Sequence, residues 1–324
     1  MLLSQIRPRI TTKFLRHSFS SHKHLYDIDT AIIPEAINNN ISLYDIDTAI
    51  IPDAINNNIS IFRTADVVSD RWSINGNVNG GFTMSMMISA ARNITNFRDT
   101  LTCTGHYLSP LIEGEPAYFH TTLLKQGKQT ATIRVDAVQN NVPKVSFTGT
   151  FGDLSKLTGV TRNDKTTNDG PRPIDNMPKF EDCTEDLWNG LNKMNIGTLY
   201  SKALKVSVPK DSPFITTLMS GKNQGEPRID AYVEFLDGRN PCLRSLALFN
   251  DCLPPAVLNF AGMASWVPTI EYTVHTFKRP KPGPMRLSFR ADVIQQGVAT
   301  VNGEVQDIQG NICSVSRQLC MIRV

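Results

Sequence analysis

The sequence predicts an α+β protein made twice on one plan, a single buried helix wrapped by an antiparallel sheet. Three observations predict it: one helix-period run that is apolar nearly all round, several stretches that alternate with period two, and features that recur 170 residues apart. In the first copy Gly80-Gly81 opens FTMSMMISAARNI, where Phe82, Met86, Ala90 and Ile94 fall at helical spacing with Met87 and Ala91 beside them. A helix apolar on so many sides belongs in a core. In the second copy Asn250-Asp251 precedes CLPPAVLNFAGMA, which predicts a helix with Asp251 as its N-cap and Pro254 and Pro255 in the first turn.

The strands follow from alternation. In MRLSFRADVI, Met285, Leu287, Phe289, Ala291 and Val293 share one face, and Arg286, Ser288, Arg290 and Asp292 the other, which reads as a half-buried antiparallel strand. The stretches 131–138, 145–151, 269–277 and 312–324 are likewise rich in β-branched and aromatic residues. At an offset of 170, Pro110 matches Pro280, Phe119 matches Phe289 and Gln126-Gly127 matches Gln296-Gly297.

Length and composition bound the organisation. A chain of 324 residues with 40% hydrophobic content can bury a sizeable core, which excludes disorder and a disulfide knot. The formal charge of +3 is too small to point to nucleic acid, and no apolar run reaches the roughly 18 to 20 residues of a membrane-spanning helix. Six cysteines without a CxxC pair or clustered histidines predict no metal and buried, reduced thiols. Residues 1–24 carry five basic and no acidic side chains, the composition of a mitochondrial transit peptide, with a basic arm on a cytoplasmic protein as the alternative. Residues 25–60 hold an 18-residue unit twice, differing only at Glu35 and Asp53, and one copy is expected to supply the first strand. The two α+β copies are expected at 43–151 and 195–324, with 152–194, rich in Asn, Asp, Thr, Lys and Pro, as a linker.

Trp72 followed by NGNVNGGF, then HYLSP, LFNDCLPP, PTIEYTVHTFKRPKPG and the closing SRQLCMI occur in the order found in one family. On these strings the chain resembles the double hotdog acyl-CoA thioesterases, which include thioesterase II and the fungal thioesterase-like proteins. The resemblance implies a tandem hotdog fold that hydrolyses fatty acyl-CoA to a free fatty acid and coenzyme A, without a cofactor. It also implies a water-holding trio, which falls here on Asp251, Thr269 and Gln318. The stretch from Thr269 to Pro280 is read as one residue longer than in the bacterial form, and Asn250 stands where a small residue is common.

Those residue types suit the chemistry. A thiolate of pKa near ~8.5 leaves without strong acid help, so the tasks are to activate water and to stabilise the oxyanion. Asp251 could take the proton, Thr269 and Gln318 could orient the water, and helix-start N–H groups at Gly80-Gly81 or around Asp251 could polarise the carbonyl. The 170 offset sets Asp251 against Gly81 and Gln318 against Thr148, so one catalytic centre is expected per chain. Lys278 and Arg279, with Lys281, form a basic cluster that is either a solvated turn or a contact for coenzyme A phosphates. His106 and His275 have no nucleophile partner and read as structural. A hotdog hydratase or dehydratase is the alternative enzyme, disfavoured because no His follows Asp251, and a non-catalytic acyl-thioester-binding protein is the alternative outside enzymes. Two hotdogs in one chain suffice as a monomer, and a homo-oligomer is the other expectation.

Overall fold

The computed structural model describes residues 32–34, 59–64, 67–161, 166–167, 170–171, 173–193, 197–220, 225–262 and 267–323. The basic leader lies outside these residues, as does nearly all of the 18-residue duplication. Thirteen strands form one sheet: β1 (Ile32–Pro34), β2 (Ile59–Thr64), β3 (Asp99–Tyr107), β4 (Tyr118–Gln126), β5 (Ala131–Gln139), β6 (Val142–Gly152), β7 (Cys183–Thr184), β8 (Leu204–Pro209), β9 (Arg228–Phe235), β10 (Thr269–Thr276), β11 (Met285–Gln295), β12 (Val298–Gln306) and β13 (Ile312–Met321). Their spatial order is β1-β2-β4-β5-β6-β3-β10-β13-β12-β11-β9-β8-β7. Each half is thus an antiparallel sheet, and the halves join where β3 pairs with β10. Across that seam Thr104 Oγ1 meets Thr273 Oγ1 at 2.8 Å and Thr102 Oγ1 meets His275 Nδ1 at 2.9 Å.

Helix α1 (Gly80–Arg92) fills the N-terminal half and is buried from Gly81 to Ala91, as its apolar run predicts. Asn79 caps it, its Oδ1 accepting from the Phe82 N–H at 2.9 Å. Trp72 stacks on Phe82 with ring centroids 4.6 Å apart. The second helix is not where the sequence places it. Helix α4 (Ser245–Phe249) ends before Asp251, and among the described residues that follow one further turn, α5 (Leu258–Ala261), forms. The reason is Pro254-Pro255: neither donates an N–H, and each disfavours helix at the residue before it. Asp251 is therefore no N-cap; its own N–H donates to Leu248 O at 2.9 Å in the turn that closes α4.

Two shorter helices, α2 (Asp186–Lys193) and α3 (Pro213–Ser220), complete the order. The stretch read as a linker therefore carries β7, which pairs with β8, and α2, from which Leu191 is buried. Trp188 Nε1 donates to Leu204 O at 2.9 Å, fastening α2 to the C-terminal sheet.

The ladder registers correct the repeat. Gly105 pairs with Phe147 as Val274 pairs with Ser316, so both partners advance by 169 residues, one fewer than the sequence offset. Thr121 pairs with Val135 as Phe289 pairs with Gly303, an advance of 168. Bulges recur in step with this, at Leu101 and Ile270 and again at Leu124 and Asp292. A one-residue error flips a strand's faces. The counterpart of Gln318 is therefore the inward Gly149, and Thr148 faces out.

The halves also meet through their helices. A Cβ on Gly81 would lie 2.5 Å from the Ala247 carbonyl oxygen and 2.9 Å from Leu248 Cα, both backbone, so only glycine lets α1 approach α4 this closely. Gly81→Ala is expected to destabilise the protein by about 1–3 kcal/mol, read as a lowered Tm, whereas Gly76→Ala, where nothing lies within 4 Å, tests only the cost of a positive φ.

Candidate active site

Asp251 and Gly81, set against each other by the sequence offset as equivalents, are instead in contact. The Gly81 N–H, at the start of α1, donates to Asp251 Oδ2 at 2.8 Å. Asn79 Nδ2 donates to the same oxygen at 3.2 Å and to the Asp251 carbonyl at 2.8 Å. Gln318 Nε2 reaches the other carboxylate oxygen, Oδ1, at 2.7 Å. The carboxylate of the C-terminal half thus sits against the positive end of the N-terminal half's helix.

Burial and these donors act in opposite directions on Asp251. Burial pushes its carboxyl up to about 6, while the Gly81 N–H, Gln318 and Asn79 hold it from rising further. A carboxylate titrating there is ionised at neutral pH and still basic enough to take a proton. Two buried tyrosines and the half-buried Tyr107 fix the surrounding backbone: Tyr107 Oη donates to Gly80 O at 2.8 Å, Tyr200 Oη to Cys252 O at 2.9 Å and Tyr272 Oη to Ala247 O at 2.6 Å. Burial pushes all three phenols well above their ordinary range, with Asp251 adding to the rise, so they remain donors.

Gln318 points inward because β13 alternates, with Ser314, Ser316 and Cys320 buried on the same face. Thr269 owes its direction to the bulge at Ile270, which shifts the phase of β10 so that Thr269 pairs with the inward Cys320. The irregularity in this segment therefore lies at the strand's start, before Val274. Asn250 does not crowd the turn. Its Nδ2 donates to Ser314 Oγ at 2.7 Å and to Leu246 O at 2.8 Å, tying the residue before Asp251 to β13.

A cavity of about 710 Å³ opens beside these groups and is lined by Asn79, Gly80, Tyr107, Asp251, Thr269 and Gln318 among others. That volume is in the range of small-molecule sites. Asp251 and Arg323 are the charged residues among its described lining. Sequence reasoning passed over Asn79, whose signal is its place one residue before the Gly-Gly helix start, and Arg323.

Lys278 and Arg279 are not brought to this cavity. They follow the far end of β10, roughly 30 Å from Thr269 at about 3.3 Å per residue. Arg279 pairs with the buried Asp99 at 2.5 Å, and Lys278 Nζ donates to Asn311 Oδ1 at 2.7 Å. His275 bonds Thr102 across the seam, a structural role. No group of His, Cys, Asp and Glu among the described residues could hold a metal ion, the six cysteines are unpaired, and no described helix is long and apolar enough to cross a membrane.

Comparison with known proteins bears on this arrangement. Residues 68–152 match the family described as acyl-CoA thioesterase N-terminal domain, and residues 193–322 match the acyl-CoA thioesterase C-terminal domain. No curated protein sequence matches the chain. Among solved structures, the Thermobifida fusca protein called a thioesterase II is 20% identical with a TM-score of 0.72, over 93% of this chain and 98% of that one. A hot dog fold protein of unknown function from Alicyclobacillus acidocaldarius is 15% identical with a TM-score of 0.68, over 94% and 99%. An acyl-CoA thioesterase II of Mycobacterium marinum is 15% identical with a TM-score of 0.58, over 92% and 98%. These three share the fold, and the two domain matches supply the family: the chain belongs to the double hotdog acyl-CoA thioesterases and is a thioester hydrolase.

Proposed function

We propose that the protein hydrolyses fatty acyl-CoA to a free fatty acid and coenzyme A, with a water activated by Asp251. The observation that carries this reading is the Asp251 carboxylate, held by three donors from both halves and opening onto a largely apolar cavity. The water attacks the carbonyl carbon and gives its proton to Asp251. Thr269 and the Gln318 amide orient that water, and the N-terminus of α1 at Gly80 polarises the carbonyl oxygen. The carbon–sulfur bond then breaks, and the proton held by Asp251 passes to the departing thiolate, so the carboxylate is restored. Arg323, the cation at the rim, is the group nearest to hand for the phosphates of coenzyme A.

Release of free thiol from a panel of acyl-CoAs tests the reading. Asp251→Asn is expected to cut kcat by about 100-fold or more with the fold intact; turnover close to wild type would remove Asp251 from the mechanism. Because Asp251 must be ionised, kcat/KM should rise with pH and level off above about 6. Asn79→Ala removes a donor to the charged form, so that rise should move to higher pH. Stability carries the opposite sign. A carboxyl whose folded pKa is raised loses stability as pH climbs from its unfolded value to about 6, so Asp251→Asn should raise Tm at pH 8 and change it little at pH 4.

A further inference from the structure

The two halves follow one backbone plan, yet their interiors are filled differently. In the N-terminal half, β6 points Phe147, Gly149 and Phe151 inward, and both phenylalanines are fully buried. At the matching positions of the C-terminal half, 169 residues on, β13 carries Ser316, Gln318 and Cys320, and all three line the cavity. The neighbouring strand repeats the substitution: Val135, paired with Phe147, becomes Gly303, paired with Ser316. The displaced aromatic reappears one strand further out, where Thr121 of β4 corresponds to Phe289 of β11.

The cover differs in the same sense. In the N-terminal half the unbroken α1 packs on its sheet, whereas in the C-terminal half the helix stops at Phe249. Leu253, Pro254, Pro255, Ala256 and Leu258 then line the cavity opposite Phe289, Val301 and Gly303. Small residues on this sheet and a broken helix above it leave the C-terminal side of the cavity open, while Val78, Leu111 and Val145 of the N-terminal half wall its other side.

We propose that the acyl chain of the substrate lies in this space, within the C-terminal half, and that Gly303 and Ser316 set the length that fits. The inference rests on the thioesterase reading above. Along the inner face of β13 Ser316 then lies against the acyl chain and Gln318 at the thioester, while Arg323, exposed two residues past the strand's end, stands at the rim where coenzyme A leaves the protein. A side chain at either small position would refill the space as the N-terminal half is filled. A Cβ on Gly303 would meet Ser316 Oγ and come within 2.9 Å of the Phe289 ring, so the two positions act together.

The experiment uses the full chain and two variants of opposite sign, Ser316→Leu and Phe289→Ala. Two readouts are taken: the ratio of kcat/KM for a 16-carbon against a 4-carbon acyl-CoA, and displacement of a fluorescent fatty acid by free fatty acids of 4 to 16 carbons. Ser316→Leu should lower the ratio by about 10-fold or more, and Phe289→Ala should raise it. An unchanged ratio in both folded variants, or a fall of equal size for short and long chains, overturns the proposal. Should the parent protein release no thiol, the thioesterase reading fails alone. The displacement series then decides: loss of long-chain binding in Ser316→Leu supports the acyl site, and an unaltered series overturns it.

Discussion

The site depends on the contact between the Gly81 N–H and the Asp251 carboxylate. It requires a helix start from one half, a helix end from the other, and no side chain between them. Once α1 begins at Gly80 and α4 ends at Phe249, the chain brings opposite charges together at the seam: the positive end of a 13-residue helix and a half-buried acid. Asn79 serves both sides of that contact, capping α1 with its oxygen and holding Asp251 with its nitrogen. Neither half holds the carboxylate alone.

Much of this was legible in the sequence, and the misses have physical causes. The apolar period of Phe82 to Ile94 located α1, the stretch 312–324 located β13, and the alternation from Met285 to Ala291 located a strand with the correct faces, whereas Val293, expected on the buried face, is exposed because the bulge at Asp292 shifts the phase. Asp251 and Gln318 came from the family resemblance, and the structure brings them within a hydrogen bond of each other. The second helix was misplaced because the stretch after Asp251 has the right composition, while Pro254-Pro255 forbids regular helix there and the helix falls upstream on Ser245–Phe249. The offset of 170 was one residue too long for β3 and β6 and two too long for β4 and β5, because single matched residues such as Gln126-Gly127 and Gln296-Gly297 do not report the ladder pairing that fixes register. Lys278 and Arg279 looked like a phosphate site by charge alone, and nothing in their spacing reveals the buried Asp99 that Arg279 neutralises.

A duplicated fold offers two interiors and needs one of them to be solid. Phe147, Phe151 and the continuous α1 make the N-terminal half a packed support. The C-terminal half gives up aromatic packing at Ser316 and Cys320 and gains room beside the acid. Cavities and a desolvated carboxylate are both costs to stability, and placing them in one half leaves the other to offset them. The three phenols that hold Gly80, Ala247 and Cys252 by their carbonyls show the same division: they keep the backbone rigid where the side chains have been thinned.

The pairing of β3 with β10 carries a consequence for how the molecule comes apart. Five residue pairs, from Glu271 opposite His106 to His275 opposite Thr102, make the two halves one uninterrupted ladder, and neither half presents that strand as a free edge. Melting one half would strip the other of its neighbour along this ladder and uncover the α1 surface against α4. The halves are therefore bound to a shared fate, a single cooperative unit whose buried apolar residues form one continuous core. A cut in the connecting stretch would leave the fragments clasped, and each fragment made alone would carry an exposed β-strand ready to pair with another copy of itself.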